Sequence, residues 1–487
     1  MTEIQNTEAE PASNKGLSPL QRGAFFAGPI LGILVWLLLQ ALDLDSQPAV
    51  TAGIATWVAL WWVFEPISIP ATSMIPFVAF PFAGVLSNKE VAQAYGHWLI
   101  LLLLGGFLLS AGMEKSGVHR RIALGIMRMV GTGGPTRIIL GMMLATWILS
   151  GWISNTATTL MMLPVALALC ERLATLRTKQ ALLLGIAYAA SIGGIATPIG
   201  TPPNVVLMGI YEETTGLELS FSTWLSFGYP LALGLVAVAW LLLTRSLGTA
   251  DLSMPQNESV DASEGQALGP ISSHERRVLG VFVVTALAWI TRKEPFGGWS
   301  ELLGITTMGD DSVALAAALA FFIIPTGSGS TQKLLDWETA KGIPWGLLIL
   351  FGGGIAIAKA FAASGLSNII GSLLTPLATS PFLVATLLIC LVVTFLTEVT
   401  SNTATTTLLM PILAAAAIAS DIDPLLLMIP AALSASCAFM LPVATAPNAV
   451  VYGSGMLPVA VMARTGVRLN LLAVIVITLG LTLRSSF

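Results

Sequence analysis

Charge is what this chain has least of. Of 487 residues, 22 are Lys or Arg and 26 are Asp or Glu, 10% in all, where a soluble domain carries roughly 25%. With 55% apolar residues and a mean hydropathy of +0.84, that deficit excludes a conventional soluble fold. Cysteine is nearly absent too. Cys170, Cys390 and Cys437 lie in apolar segments without a CxxC spacing, so they read as small packing residues, not as disulfides or metal ligands. The three histidines, His97, His119 and His274, stand far apart at the ends of apolar runs, which implies no metal cluster. No HExxH, no pair of aspartates deep within a run and no Ser/His combination falls in the apolar runs, so turnover of a bound substrate would be needed to revive an intramembrane enzyme. The first 22 residues are polar, with Pro11, Ser13 and Gly16. They lack the basic-then-apolar order of a cleaved signal and read as a cytosolic tail.

What the chain does have is a succession of apolar runs near 20 residues, the length of a membrane-crossing helix. The runs are continuous rather than alternating, which argues against a β-barrel. The reading is an all-α polytopic membrane protein. Spans are predicted at about 23–43, 49–64, 68–86, 98–118, 180–212, 227–245, 276–292, 310–326, 344–366, 424–455 and 468–485. With the N-terminus in the cytosol, seventeen Lys and Arg side chains fall on the cytosolic side and four outside. That bias supports eleven spans and an exposed C-terminus. The polar stretch 246–275 divides the chain, leaving 49–245 and 276–487 as two halves after a first span at 23–48.

The halves carry the same markers in the same order. Ser154-Asn155-Thr156-Ala157-Thr158-Thr159 runs on to Pro164 and returns as Ser401-Asn402-Thr403-Ala404-Thr405-Thr406 running on to Pro411, 247 residues later. Trp98 and Gly105-Gly106 are matched by Trp345 and Gly352-Gly353 at that same offset, and Thr201-Pro202-Pro203-Asn204 by Thr445-Ala446-Pro447-Asn448 at 244. This is an internal duplication, and an odd number of spans per half makes the repeats inverted. Each Ser-Asn-Thr stretch lies midway in an apolar segment, at about 136–170 and 381–415. Ser, Asn and clustered Thr are weak helix formers; at the tip of a re-entrant hairpin their non-helical backbone is buried in protein.

Thr197-Pro198-Ile199-Gly200-Thr201-Pro202-Pro203 cannot stay helical, because three prolines in six residues remove amide donors. Ala444-Thr445-Ala446-Pro447 makes a similar break. Carbonyls freed before a break suit a small hard cation, and the amides opening the next half-helix suit an anion. Ser, Thr and Asn side chains add neutral oxygens and donors. Isolated Ser and Thr in such helices often only bond back to their own backbone; two copies, each paired with a broken span, point to a site. Neither motif contains Lys, Arg or His. Glu398 is the one titratable group beside them; it reads as a brace for the second tip or as an aid to cation attraction. Lys359 is placed to snorkel to the interface. Trp57, Trp61, Trp62 and Trp98 read as packing or interface aromatics, and the paired glycines as points of close helix contact.

On these motifs the chain resembles the divalent anion:sodium symporter family, the bacterial dicarboxylate transporters of the INDY type, over nearly all of its length after residue 22. The resemblance implies a dimer with eleven spans, two hairpins and an elevator-type transport domain. It implies a first sodium position at Ser150, Ser154, Asn155 and the Gly200 carbonyl. A second would use Thr397, Thr400, Ser401, Asn402 and the Ala444 carbonyl. Substrate carboxylates would meet Asn155, Thr156 and Thr201, with Pro202 beside it, on one side, and Asn402, Thr403 and Thr445 on the other. Thr400 and Ala446 depart mildly from the family pattern. The expected function is sodium-coupled import of C4 dicarboxylates such as succinate, fumarate or malate across the inner membrane, with sodium as coupling ion and no organic cofactor. A dicarboxylate exchanger and a sulfate or tricarboxylate carrier share the scaffold. A channel would not need two sodium sites.

Overall fold

The computed structural model describes residues 17–131, 133–171, 173–245, 247–248, 251, 269–293, 298–305, 307–327 and 331–485. Most of the tail expected at 1–22 and most of the linker expected at 246–275 lie outside them. Among the described residues the chain is helical, with no strand beyond one isolated bridge between Pro325 and Lys333. The first half contains α1 (Pro19–Ala41), α2 (Ser46–Phe64), α3 (Ile69–Thr72), α4 (Ile75–Phe82), α5 (Asn88–Tyr95) and α6 (Trp98–Ser116). It continues with α7 (Val118–Val130), α8 (Pro135–Ser150), α9 (Asn155–Glu171), α10 (Leu176–Ala196), α11 (Pro202–Thr215) and α12 (Phe221–Arg245). The second half contains α13 (Ser273–Ile290), α14 (Gly298–Leu302), α15 (Asp310–Ile323), α16 (Trp337–Lys341), α17 (Trp345–Ser364) and α18 (Leu366–Ala378). After these come α19 (Phe382–Leu396), α20 (Asn402–Ala419), α21 (Leu425–Ala435), α22 (Ala446–Tyr452) and α23 (Val459–Ser485).

Seven helical stretches among the described residues are long and apolar enough to cross a bilayer, or eight if the pair α18–α19, bent by 112°, forms one span. The least buried is α1, whose outward face carries Phe26, Ile30, Leu34 and Leu38, as a lipid-facing helix should. It packs on α2 where Gly32 meets Gly53: a Cβ on Gly32 would stand 2.7 Å from the Gly53 carbonyl oxygen. At the opposite extreme, α10 has every residue from Gln180 to Ala196 buried and lies against α8, α9 and α12. It is the central post of the first half.

One expectation needs correction. The span predicted at 68–86 is two short helices, α3 and α4, because Pro70 and Pro76 each open a new helix and Pro81 enters the second turn of α4. The Lys359 ammonium meets the Glu213 carboxylate on α11 at 3.4 Å, both side chains partly exposed. The tryptophans serve packing. The Trp61 indole donates to the Ala24 carbonyl and that of Trp62 to Ser73 Oγ. The paired glycines do admit close neighbours. A Cβ on Gly105 would lie 2.5 Å from Ala314 Cβ, and one on Gly354 2.2 Å from Thr407 Cγ2.

Candidate functional site

Both Ser-Asn-Thr stretches fall at helix breaks. Helix α8 ends at Ser150 and α9 begins at Asn155; α19 ends at Leu396 and α20 begins at Asn402. The serines supply the local reason, since a serine oxygen can take an orphan amide at a helix start. Ser154 Oγ accepts from Ala157 N at 3.2 Å and Ser401 Oγ from Ala404 N at 3.4 Å. Farther on, Thr159, Thr406 and Thr407 donate to carbonyls of their own helices, so the structural reading holds for them. Asn155 and Asn402 do something else.

The partner breaks are also built alike. Asn204 Nδ2 donates to the carbonyls of Gly194 (2.9 Å) and Thr197 (2.7 Å). Asn448 Nδ2 donates to those of Ala438 (3.1 Å) and Leu441 (3.0 Å). All three positions shift by 244 residues between halves, so each buried asparagine closes the same unwound turn. Gly200 is needed because a Cβ there would lie 2.6 Å from the Gly194 oxygen, and Gly194 because its Cβ would lie 2.6 Å from Asn155 Oδ1. The side-chain oxygen of Asn448 has no hydrogen-bond partner among the described residues, which leaves the work to its nitrogen. Asn448→Ala should therefore strand two buried carbonyls and cost about 2–5 kcal/mol, read as a lowered melting temperature in detergent. An unchanged melting temperature would show that the turn holds itself.

Behind each tip, three oxygens crowd together. Ser150 Oγ lies 2.7 Å from both Asn155 Oδ1 and the Ala190 carbonyl oxygen. Thr397 Oγ1 likewise contacts Asn402 Oδ1 and the Ala435 carbonyl oxygen, the latter at 3.0 Å. Each hydroxyl has one proton to give and two acceptors facing it, and both side chains are fully buried. Such a neutral oxygen cluster suits a small hard cation. Thr400 is turned elsewhere, its hydroxyl against Leu396 O and Thr405 Oγ1, so only its backbone could join a cation site.

The two tips share one cavity of about 690 Å³. Its wall includes Ser154, Asn155, Thr156, Gly200, Thr201 and Pro202 from one half. From the other come Thr400, Ser401, Asn402, Thr403, Ala444 and Thr445. Ser150 and Thr397 stand behind that wall, each bonded to its asparagine. Among the described residues the lining includes two carboxylates, Glu65 and Glu398, and no Lys, Arg or His. Burial holds the Glu65 carboxyl above the usual carboxylate range. Glu398 is a brace. Its carboxylate accepts from the backbone amides of Phe439 (2.7 Å), Met440 (2.9 Å) and Leu441 (3.1 Å), and from Asn470 Nδ2 (2.7 Å). Sequence reasoning missed the carbonyls of Ala190 and Ala435, which carry no side-chain signature. It also missed Asn470, whose only signal was an amide inside an apolar run.

A largely apolar helical bundle with paired helix breaks around one polar cavity defines a multi-pass membrane transport protein. The chain matches the citrate transporter family over residues 59–429 and belongs to that family. It is 40% identical over 479 residues to the sodium-dependent dicarboxylate transporter SdcS of Staphylococcus saprophyticus, covering 96% of this chain and 92% of that one. To the protein of the same name from Staphylococcus aureus strain USA300 it is 39% identical, over 93% of this chain and 89% of the other. Two solved structures share the fold at low identity. The YdaH transporter of Alcanivorax borkumensis is 14% identical with a TM-score of 0.56, covering 81% of this chain and 87% of its own. MtrF of Neisseria gonorrhoeae is 12% identical with a TM-score of 0.56, covering 80% and 82%.

Proposed function

We propose that the protein is a sodium-coupled symporter importing C4 dicarboxylates such as succinate, fumarate and malate across the plasma membrane. The observation that carries this reading is the shared cavity: neutral oxygen clusters at both tips, with two acidic side chains and no basic one among the described residues that line it. A dianion cannot be desolvated there without bound cations. Sodium at Ser150, Ser154, Asn155 and the Gly200 carbonyl, and at Thr397, Ser401, Asn402 and the carbonyls of Thr400 and Ala444, supplies that charge. Amides opening α9, α11 and α20 add positive potential toward the substrate carboxylates. Asn155, Thr156, Thr201, Asn402, Thr403 and Thr445 donate to those carboxylates, with Pro202 shaping the wall. The naming of SdcS as a sodium-dependent dicarboxylate transporter supports the same reading.

The architecture belongs to the proposal: eleven spans, inverted repeats with re-entrant hairpins at α8–α9 and α19–α20, a homodimer, and an elevator-like movement of the tips. The N-terminus is cytosolic and the C-terminus outside, as the loop charges require. The cavity lining includes Glu65, just past α2, and Pro344, just before α17. Both lie at helix ends that the loop charges assign to the cytosol, which supports an inward-facing state. The citrate description of the family favours a tricarboxylate carrier as the second reading. Proteoliposomes with an inward sodium gradient separate the two: labelled succinate should accumulate against its gradient, with citrate and sulfate at least about tenfold slower. Faster citrate accumulation would give the second reading, and sodium-independent uptake would remove the coupling.

A further inference from the structure

The two halves differ at one chemically decisive position. Glu398 in the second half stands 247 residues after Gly151 in the first. The first half closes its break with a neutral bond, Thr197 Oγ1 donating to the Gly151 carbonyl. The second uses a carboxylate that is 3% exposed and receives four N–H donors. Each of those four hydrogen bonds is donated to it, as an acceptor-only carboxylate requires. No Lys, Arg or His forms an ion pair with it among the described residues. A buried anion without a cationic partner calls for one. Beside it in the chain is Thr397, whose hydroxyl faces Asn402 Oδ1 and the Ala435 oxygen. Glu398 also reaches the cavity that Thr400, Ser401 and Asn402 line.

The carboxylate orients backbone as well. The peptide joining Ala438 to Phe439 is gripped at both ends, its N–H by Glu398 and its carbonyl by Asn448. Because the peptide unit is planar, those two bonds fix its direction. The turn from 439 to 441 leads straight into Ala444, one of the carbonyls assigned above to the second cation.

We propose that Glu398 is a positioning residue that supplies the countercharge for the second sodium and makes that site the tighter of the two. The first site, with Gly151 in place of the carboxylate, fills later and holds its ion more weakly. This rests on the sodium-symport reading, and the test separates the two.

Sodium titrations of the melting temperature, made without substrate, are run in two backgrounds: Ser150→Ala, which leaves the second site to be read, and Thr397→Ala, which leaves the first. Glu398→Gln should raise the half-maximal sodium concentration at least about tenfold in the Ser150→Ala background, the effect of a removed charge at short range, and by less than about twofold in the Thr397→Ala background. At saturating sodium the Glu398→Gln single variant should recover the unmutated affinity for succinate, which damage to the turn alone would not allow. Glu398→Asp, which keeps the charge, should stay within about threefold of the unmutated protein. Equal shifts in both backgrounds, no shift in either, or an Asp variant as weak as the Gln variant would overturn the proposal while leaving symport standing. Sodium-independent binding by the unmutated protein would overturn symport itself and the proposal with it.

Discussion

Replacing sodium with choline should abolish succinate binding to the detergent-purified protein. Among the described residues the cavity offers the dianion hydrogen-bond donors but no basic side chain, and Glu65 and Glu398 already line it. Taking a carboxylate out of water without a cation costs several kcal/mol per charge after relaxation, and this substrate carries two. The donors at the tips recover about 1.5–3 kcal/mol per charged hydrogen bond, but none of them brings a positive charge to balance the dianion and the two carboxylates in the lining. The ions must therefore be in place before the substrate is held. Reciprocity makes the expectation quantitative: if two ions bind with the substrate, the logarithm of its affinity should rise with the logarithm of sodium concentration at a slope of about 2. Calorimetric titration across a sodium series reads that slope directly. A slope near zero, with undiminished affinity in choline, would remove sodium from the site.

Much of this site is legible in the amino-acid sequence. The motif at 154–159 and its return at 401–406 locate both tips, and the prolines at 198, 202 and 203 locate a helix break, because local chemistry decides both. A proline removes a donor wherever it sits, and a serine caps whatever helix follows it. The shared cavity is expected from the inverted repeat, which sets a site at the repeat interface, even though the two tips lie 247 residues apart in sequence. Other features leave no readable trace. Helix α7 mixes Arg120, Arg121 and Arg128 with apolar residues, so a search for long apolar runs passes over it. Helix α18 is apolar but short; Ser380-Pro381 marks where it gives way to α19, but not the 112° angle between the two. The carbonyls of Ala190 and Ala435 are backbone atoms of ordinary alanines. Glu398 is visible as a lone charge, but its grip on residues 439–441 is a property of the fold.

Asn155→Ala and Asn402→Ala should each lower sodium-driven succinate uptake at least about hundredfold, as expected when a buried polar network loses a member that serves both ion and substrate. Each asparagine presents Oδ1 to a buried hydroxyl, Ser150 or Thr397, and reaches the cavity. Removing it takes a ligand from the cation and a donor from the carboxylate together. Folding should survive, because the helix starts are capped by Ser154 and Ser401; melting temperatures within a few degrees of the unmutated protein would confirm that. Asn155→Asp and Asn402→Asp separate the two duties. Aspartate keeps the oxygen and adds a negative charge, so sodium binding should persist or strengthen while the dianion is repelled and its Nδ2 donor is gone. The expected signature is a sodium-dependent rise in melting temperature that succinate no longer augments. If the aspartate variants instead bound succinate as the unmutated protein does, the asparagines would hold no carboxylate. If the alanine variants transported at full rate, the two clusters behind the tips would be packing and nothing more.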